Sequence, residues 1–225
     1  MLEIIAMSVE DAKAIELCGA GRIELVSALT EGGLTPSYAM IEAVIKSVKI
    51  PVNVMVRHHA KSFIYSNEEI DLMIKDIEII KSLGANGIVF GSLTHNHQIA
   101  ISQLERILKA CERLEVTFHK AVDETNVLES IKTLRCYPQV TNILTAGGKA
   151  NILENIEILK EMMKQAGHLN ILLGGGLTLE NIIQIKSETG ATNFHFGTAV
   201  RVEKSPFGDI DHQKLSKLVE YCKKI

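Results

Sequence analysis

Eight times along this chain a short run of β-branched and apolar residues is followed by a longer stretch with helical spacing, and no other feature constrains the fold as tightly. The strand runs are Leu2–Ala6, Arg22–Leu25, Pro51–Arg57, Gly87–Gly91, a run from Val116, Val140–Thr145, Asn170–Leu173 and Asn193–Gly197. Helical patterns follow each. Ser8 with Asp11 opens one that runs to about Cys18, Ser37 opens one with Ile41, Val44, Ile45 and Val48 on a single face, and Asn67 opens one to Leu83. Further helices are expected from Ser102 to about Arg113, from Thr125, after Gly147-Gly148 to near Gln165, from a cap at Thr178, and from about Asp211 to Tyr221. Parallel strands need crossovers of about a dozen residues or more, and a helix is the usual one. Eight strand-then-helix units in 225 residues average about 28 residues each, which predicts an α/β protein folded as a single (β/α)8 TIM barrel over residues 1–225. An open doubly wound sheet is the competing architecture, and the even count and spacing weigh against it.

Strand parity then says which side chains enter the barrel. Val52, Val54 and Val56 alternate with Asn53, Met55 and Arg57; the valines suit the helix-facing side and the mixed set the interior. In the fifth strand Thr117 and His119 share one face and Val116 and Phe118 the other. Taking the inward parity of each strand gives Glu3, Glu24, Arg57, His119, Thr145 and His195. Charged groups are costly to bury unless they meet partners, so these should meet one another.

Such barrels work at the end where strands hand over to helices. There the residues predict an acid/base cluster: Glu24 or Asp123 as base, His119 as proton carrier, and Arg57 holding an anionic substrate or lowering a carboxylate pKa. The bland alternative is an ion-pair network in which Arg57 locks Glu24. Gly147 and Gly148, Gly175 and Gly176, and Gly197 with Thr198 form glycine-rich exits whose bare amides suit an anion such as phosphate, although such turns also occur simply to reverse the chain. Lys120, of opposite parity to His119, is a poor Schiff-base candidate. His58-His59 and the His95/His97 pair belong to loops where imidazoles are more often solvated than metal-bound.

A formal net charge of -3 and a pI near 6.3, without a Lys/Arg run, give no attraction to a nucleic-acid backbone or an anionic membrane surface. The expected partner is a small anionic ligand or a metal ion. No apolar run is long enough for a bilayer and Met1-Leu2-Glu3 leads directly into a strand, so a cytoplasmic location is expected. Cys18, Cys111, Cys136 and Cys222 are scattered, without a CxxC pair, and suggest neither a disulfide framework nor a zinc knuckle.

Several segments together resemble one family. Arg22-Ile23-Glu24-Leu25, Gly32-Gly33-Leu34-Thr35-Pro36-Ser37-Tyr38, Val54-Met55-Val56-Arg57, Thr117-Phe118-His119-Lys120-Ala121-Val122-Asp123-Glu124, Ile143-Leu144-Thr145-Ala146-Gly147-Gly148 and Gly174-Gly175-Gly176 are similar, in order and over nearly the whole chain, to the CutC family. That resemblance implies a cytoplasmic β/α barrel that self-associates as a homo-oligomer, serves copper homeostasis and binds copper(I). The chain departs from the family pattern where it matters for copper. Ile5 and Val26 stand where the family has the cysteines for which copper binding was proposed, and Arg57-His58-His59 replaces Arg-Pro-Arg. Copper(I) prefers sulfur, which leaves Met7, Met55 and nearby imidazoles as ligands. Two functions therefore follow: copper handling, or acid/base catalysis on a small phosphate- or carboxylate-bearing substrate.

Overall fold

The structure is a computed structural model, and it describes residues 1–223. Eight parallel strands close into a barrel in sequential order: β1 (Leu2–Ala6), β2 (Arg22–Leu25), β3 (Val52–Met55), β4 (Gly87–Phe90), β5 (Glu115–Phe118), β6 (Val140–Thr145), β7 (Asn170–Leu173) and β8 (Asn193–Phe196), with β8 pairing back onto β1. The helices α1 (Val9–Leu17), α2 (Tyr38–Ser47), α3 (Asn67–Ser82), α4 (Ile101–Cys111), α5 (Val127–Leu134), α6 (Ile156–Gln165), α7 (Ile182–Thr189) and α8 (His212–Lys223) follow the strands one by one. This is the (β/α)8 barrel.

The helix starts follow their capping chemistry. Ser8 accepts the amide of Asp11 ahead of α1, and Ser66 with Glu69 closes a full capping box ahead of α3. Two expected starts move. Thr178 does not cap α7; its hydroxyl accepts the amides of Glu180 and Asn181, making a turn that delays the helix until Ile182. Before α5, a 3-10 turn over Lys120–Glu124 intervenes and Asn126 is the cap. Neither change moves a strand.

Apolar burial divides into two compartments. The larger lies between sheet and helices and takes the outward parity, including Ile4, Ile23, Val52, Val54, Ile88, Val116, Phe118, Ile143, Phe194 and Phe196. A much smaller apolar cluster, Ile5, Val26, Met55 and Val89, fills part of the interior, with Met7 and Leu29 against it. The remaining interior is polar: Glu3, Arg22, Glu24, Asn53, Thr117, Asn142 and His195 are all buried. A barrel normally fills with branched apolar side chains, and here polar side chains take much of that place.

One expected parity is reversed. Val116 pairs with Val140 but Thr117 pairs with Asn142, so Thr141 is an extra residue in the ladder. A bulge of this kind flips every later side chain. Leu144 therefore faces the interior cavity, and Thr145 turns instead toward the exit of β5.

The four cysteines are free thiols. No helix among the described residues is long and apolar enough to cross a membrane.

Candidate functional site

A cavity of about 520 Å³ opens at the carboxyl ends of the strands. Glu24 and His195 lie at its floor, Ile5, Met55 and Leu144 line its walls, and Arg57, Phe63, His119 and Lys120 stand on one side. Gly175, Gly176, Gly197, Thr198 and Lys204 complete the lining, with the Lys120 ammonium reaching over to Gly175. This is the catalytic end of the barrel architecture.

The floor is a chain of charged groups brought together from three strands. His195 Nδ1 lies 2.8 Å from Glu3 Oε1, and His195 Nε2 lies 3.6 Å from Glu24 Oε2. Arg22 Nε donates to Glu3 Oε2 at 2.5 Å. Arg22 was missed by the parity reading although its signal was present: it lies two residues before Glu24 on the same strand and must share its face. Burial pushes Glu24 up to about 7, with the opposing pull of the His195 imidazole not strong enough to restore the ordinary carboxylate range. Burial works the same way on Glu3, but the hydrogen bond from His195 and the charge of Arg22 outweigh it and hold that carboxyl below its usual value. His195 is raised, because the two carboxylates beside it overcome the desolvation that would lower it.

His119 is placed by a local device. Its Nδ1 accepts the amide of Ala121 at 3.2 Å, capping the 3-10 turn that follows β5. The ring packs 4.8 Å from Phe63, and a Cβ at Gly91 would collide with it, so only glycine leaves the imidazole its place. With Nδ1 used as acceptor, Nε2 carries the proton, and that buried N–H has no partner among the described residues. Burial, helped by the nearby Arg57 charge, pushes His119 down to about 3. The side chain expected to carry protons is thus placed as a neutral hydrogen-bond donor.

Arg57 and Glu24 line the same cavity but do not pair. Arg57 Nη1 donates to the carbonyls of Glu31 at 2.8 Å and Gly33 at 3.2 Å, and the guanidinium stacks 4.9 Å from the centre of the Phe63 ring. The Arg57–Glu24 lock considered from sequence is not formed.

Asp123 is committed elsewhere. Its carboxylate accepts from Thr145 Oγ1, the amides of Ala146 and Gly148, and Lys120 Nζ. Lone pairs so occupied are unavailable to a substrate proton, and Asp123 faces the exit of β6 rather than the floor. Gly148 is therefore taken, and the amide of Gly147 is taken by Thr145 Oγ1 at 2.8 Å. Of the glycine exits named as anion sites, Gly175, Gly176 and Gly197 keep amides that no acceptor claims among the described residues, and Thr198 opens a 3-10 turn beside them. Lys204 at this rim was not foreseen; it reaches the cavity because the segment Val202–Lys204 folds back with positive φ at Glu203 and Lys204.

The family model described as the CutC family matches residues 1–200. The chain belongs to the CutC family. Copper homeostasis protein cutC homologs of Mus musculus and Homo sapiens are each 40% identical over 200 residues, covering 87% of this chain and 72% of theirs. The CutC family protein of Pasteurella multocida is 34% identical over 212 residues, 92% of this chain and 85% of the other. A crystal structure named for a copper homeostasis protein CutC of Streptococcus agalactiae superposes with a TM-score of 0.82 at 32% identity, covering 88% of this chain and 97% of that one. Phosphoribosyl anthranilate isomerase from Thermotoga maritima, with a TM-score of 0.70 at 16% identity and coverage of 100% and 98%, is similar in fold alone. Against the CutC pattern, the geometry gives the two departures a common location. Ile5 and Val26, at the cysteine positions, pack in one interior cluster with Met55 and Val89. Of that cluster Ile5 and Met55 line the cavity, and Val26 and Val89 are buried behind them.

Proposed function

We propose that this CutC-family chain is an enzyme that binds a small phosphate- or carboxylate-bearing substrate in the interior cavity and carries out acid/base chemistry on it at the Glu24–His195 floor. One observation carries the reading. A set of unused donors faces the cavity, namely the amides of Gly175, Gly176 and Gly197 with Lys204, and the partnerless Nε2–H of His119. Of these donors the His119 N–H is buried, where lacking an acceptor costs roughly 1–3 kcal/mol; the glycine amides and Lys204 are open to solvent, and an anionic ligand would engage both sets together. Arg57 and Lys120 add positive charge to the same wall.

The test is a titration with inorganic phosphate followed by amide resonances. The amides of Gly175, Gly176, Gly197 and Thr198 are expected to shift and saturate together, while those of Gly147 and Gly148, already hydrogen-bonded, stay in place. No saturable shift at the first four rejects the reading.

Copper homeostasis, the role in the relatives' name, is the second reading. What favours it is the pair of thioethers: Met55 packs with Ile5 and Val26, and Met7 lies against the same cluster. Copper(I) accepts thioether sulfur, so a site weaker than a thiolate one is expected at this wall. Competition against a copper(I) chelator decides it, and retention no greater than by an unrelated barrel removes it.

A further inference from the structure

The geometry points to a divalent cation site at the cavity floor, in which His195 Nε2 and the Glu24 carboxylate hold a Zn²⁺-type ion and Glu3 orients the imidazole from behind. Three independent features of the floor carry this. The first is spacing: two donors each about 2.0–2.2 Å from a tetrahedral zinc lie about 3.3–3.6 Å apart, and His195 Nε2 and Glu24 Oε2 are 3.6 Å apart. They are too distant for a good hydrogen bond and well placed to share an ion. The second is the partner behind the imidazole. Metal-bound histidines almost always give their other ring nitrogen to a carboxylate or carbonyl, and here Nδ1 faces Glu3 Oε1 at 2.8 Å, with Glu3 itself held by Arg22.

The third is an orphan atom. Glu24 is 2% exposed, yet its Oε1 has no hydrogen-bond partner among the described residues. A buried carboxylate oxygen left without a donor is costly, and a cation held by both carboxylate oxygens removes the cost. Glu3, Glu24 and His195 each offer a ligand atom, and these lie within 4.8 Å of one another.

The donors choose the ion. Nitrogen and oxygen suit zinc and its first-row neighbours rather than copper(I), so this site is chemically separate from the thioethers at Met55 and Met7. Charge also agrees. Arg22 offsets Glu3, Glu24 leaves one negative charge, and a divalent ion would turn the floor positive. That complements an anionic ligand, whose oxygen or a water would fill the positions the protein leaves open toward the cavity. The inference rests in this respect on the cavity being a reaction site for an anion, and it makes Glu24 a ligand there rather than a free base.

The experiment uses the full chain, stripped with a chelator and titrated calorimetrically with ZnCl₂ in phosphate-free, non-coordinating buffer, then with CoCl₂ for its visible absorption. One equivalent is expected to bind, with cobalt bands of tetrahedral intensity. His195→Ala and Glu24→Gln should each weaken zinc at least 100-fold, and Glu3→Gln about 10- to 100-fold. Circular dichroism shows whether each variant is folded, and His58→Ala/His59→Ala, which leaves the floor intact, should bind as the wild type does. Zinc binding that is absent, or that survives His195→Ala in a folded protein, overturns the site. The phosphate titration of metal-free protein fails or succeeds separately, so loss of the cation site and loss of the anion reading are told apart.

Discussion

Arg57 and Glu24 face one cavity from neighbouring strands, yet Arg57 spends its guanidinium on the carbonyls of Glu31 and Gly33 and on the Phe63 ring. Its role is to hold the loop between β2 and α2 against the mouth. A charge-assisted hydrogen bond of this kind contributes roughly 1.5–3 kcal/mol. Arg57→Met is expected to destabilise the protein by about that amount and to speed amide exchange most in residues 27–36. Arg57→Lys should recover little, since an ammonium lacks the planar guanidinium that stacks on the Phe63 ring while its Nη1 serves both carbonyls. Exchange that quickens equally everywhere would argue against a loop-specific role.

Asp123→Ala should be among the most destabilising changes at the mouth. It strips acceptors from Thr145, Ala146, Gly148 and Lys120 in a buried setting. A loss of about 2–4 kcal/mol in denaturant unfolding is expected. A stability within about 0.5 kcal/mol of wild type would show that water replaces the carboxylate and that Asp123 is free for another task.

His119 makes the fold acid-sensitive. Its pKa is about 3 in the folded chain and lies near the ordinary 6.5 once unfolded. The unfolded state therefore binds the proton first, and stability present above pH 6.5 is lost progressively as pH falls toward 3. His119→Asn keeps an acceptor for the amide of Ala121, so it should fold, and it should flatten the decline in unfolding free energy between pH 6.5 and 4 relative to wild type. An unchanged slope would mean that His119 is not the group responsible.

Ile5 and Val26 occupy neighbouring positions on β1 and just past β2, inside one apolar cluster. Ile5→Cys/Val26→Cys would put two thiols beside Met55. Copper(I) affinity, read by chelator competition, is expected to rise by at least 100-fold over wild type. The cost is packing, about 1–2 kcal/mol per site from lost methyl groups. A double variant that binds copper(I) no better than the parent would place the family's thiol positions out of each other's reach.

Much of this was legible in the chain. Alternation along a strand is a covalent property, so Glu3, Glu24, Arg57, His119 and His195 could be assigned to the interior before any contact was known, and Arg22 could have been. Eight repeats determined the barrel, and the barrel determined which end would carry chemistry. Thr145 escaped because one extra residue at Thr141 inverts the parity, and an insertion in a ladder is defined only against its partner strand.

Tertiary structure alone decided who meets whom. Glu3 and His195 are 192 positions apart, and no local pattern selects His195 over Arg57 as the neighbour of Glu24. That choice follows from the closure of β8 onto β1 and from competition for hydrogen bonds: loop carbonyls captured Arg57, and Asp123 and Thr145 captured the amides of Gly148 and Gly147. Periodicity says which way a side chain points; only the assembled barrel says what has already claimed its lone pairs and protons.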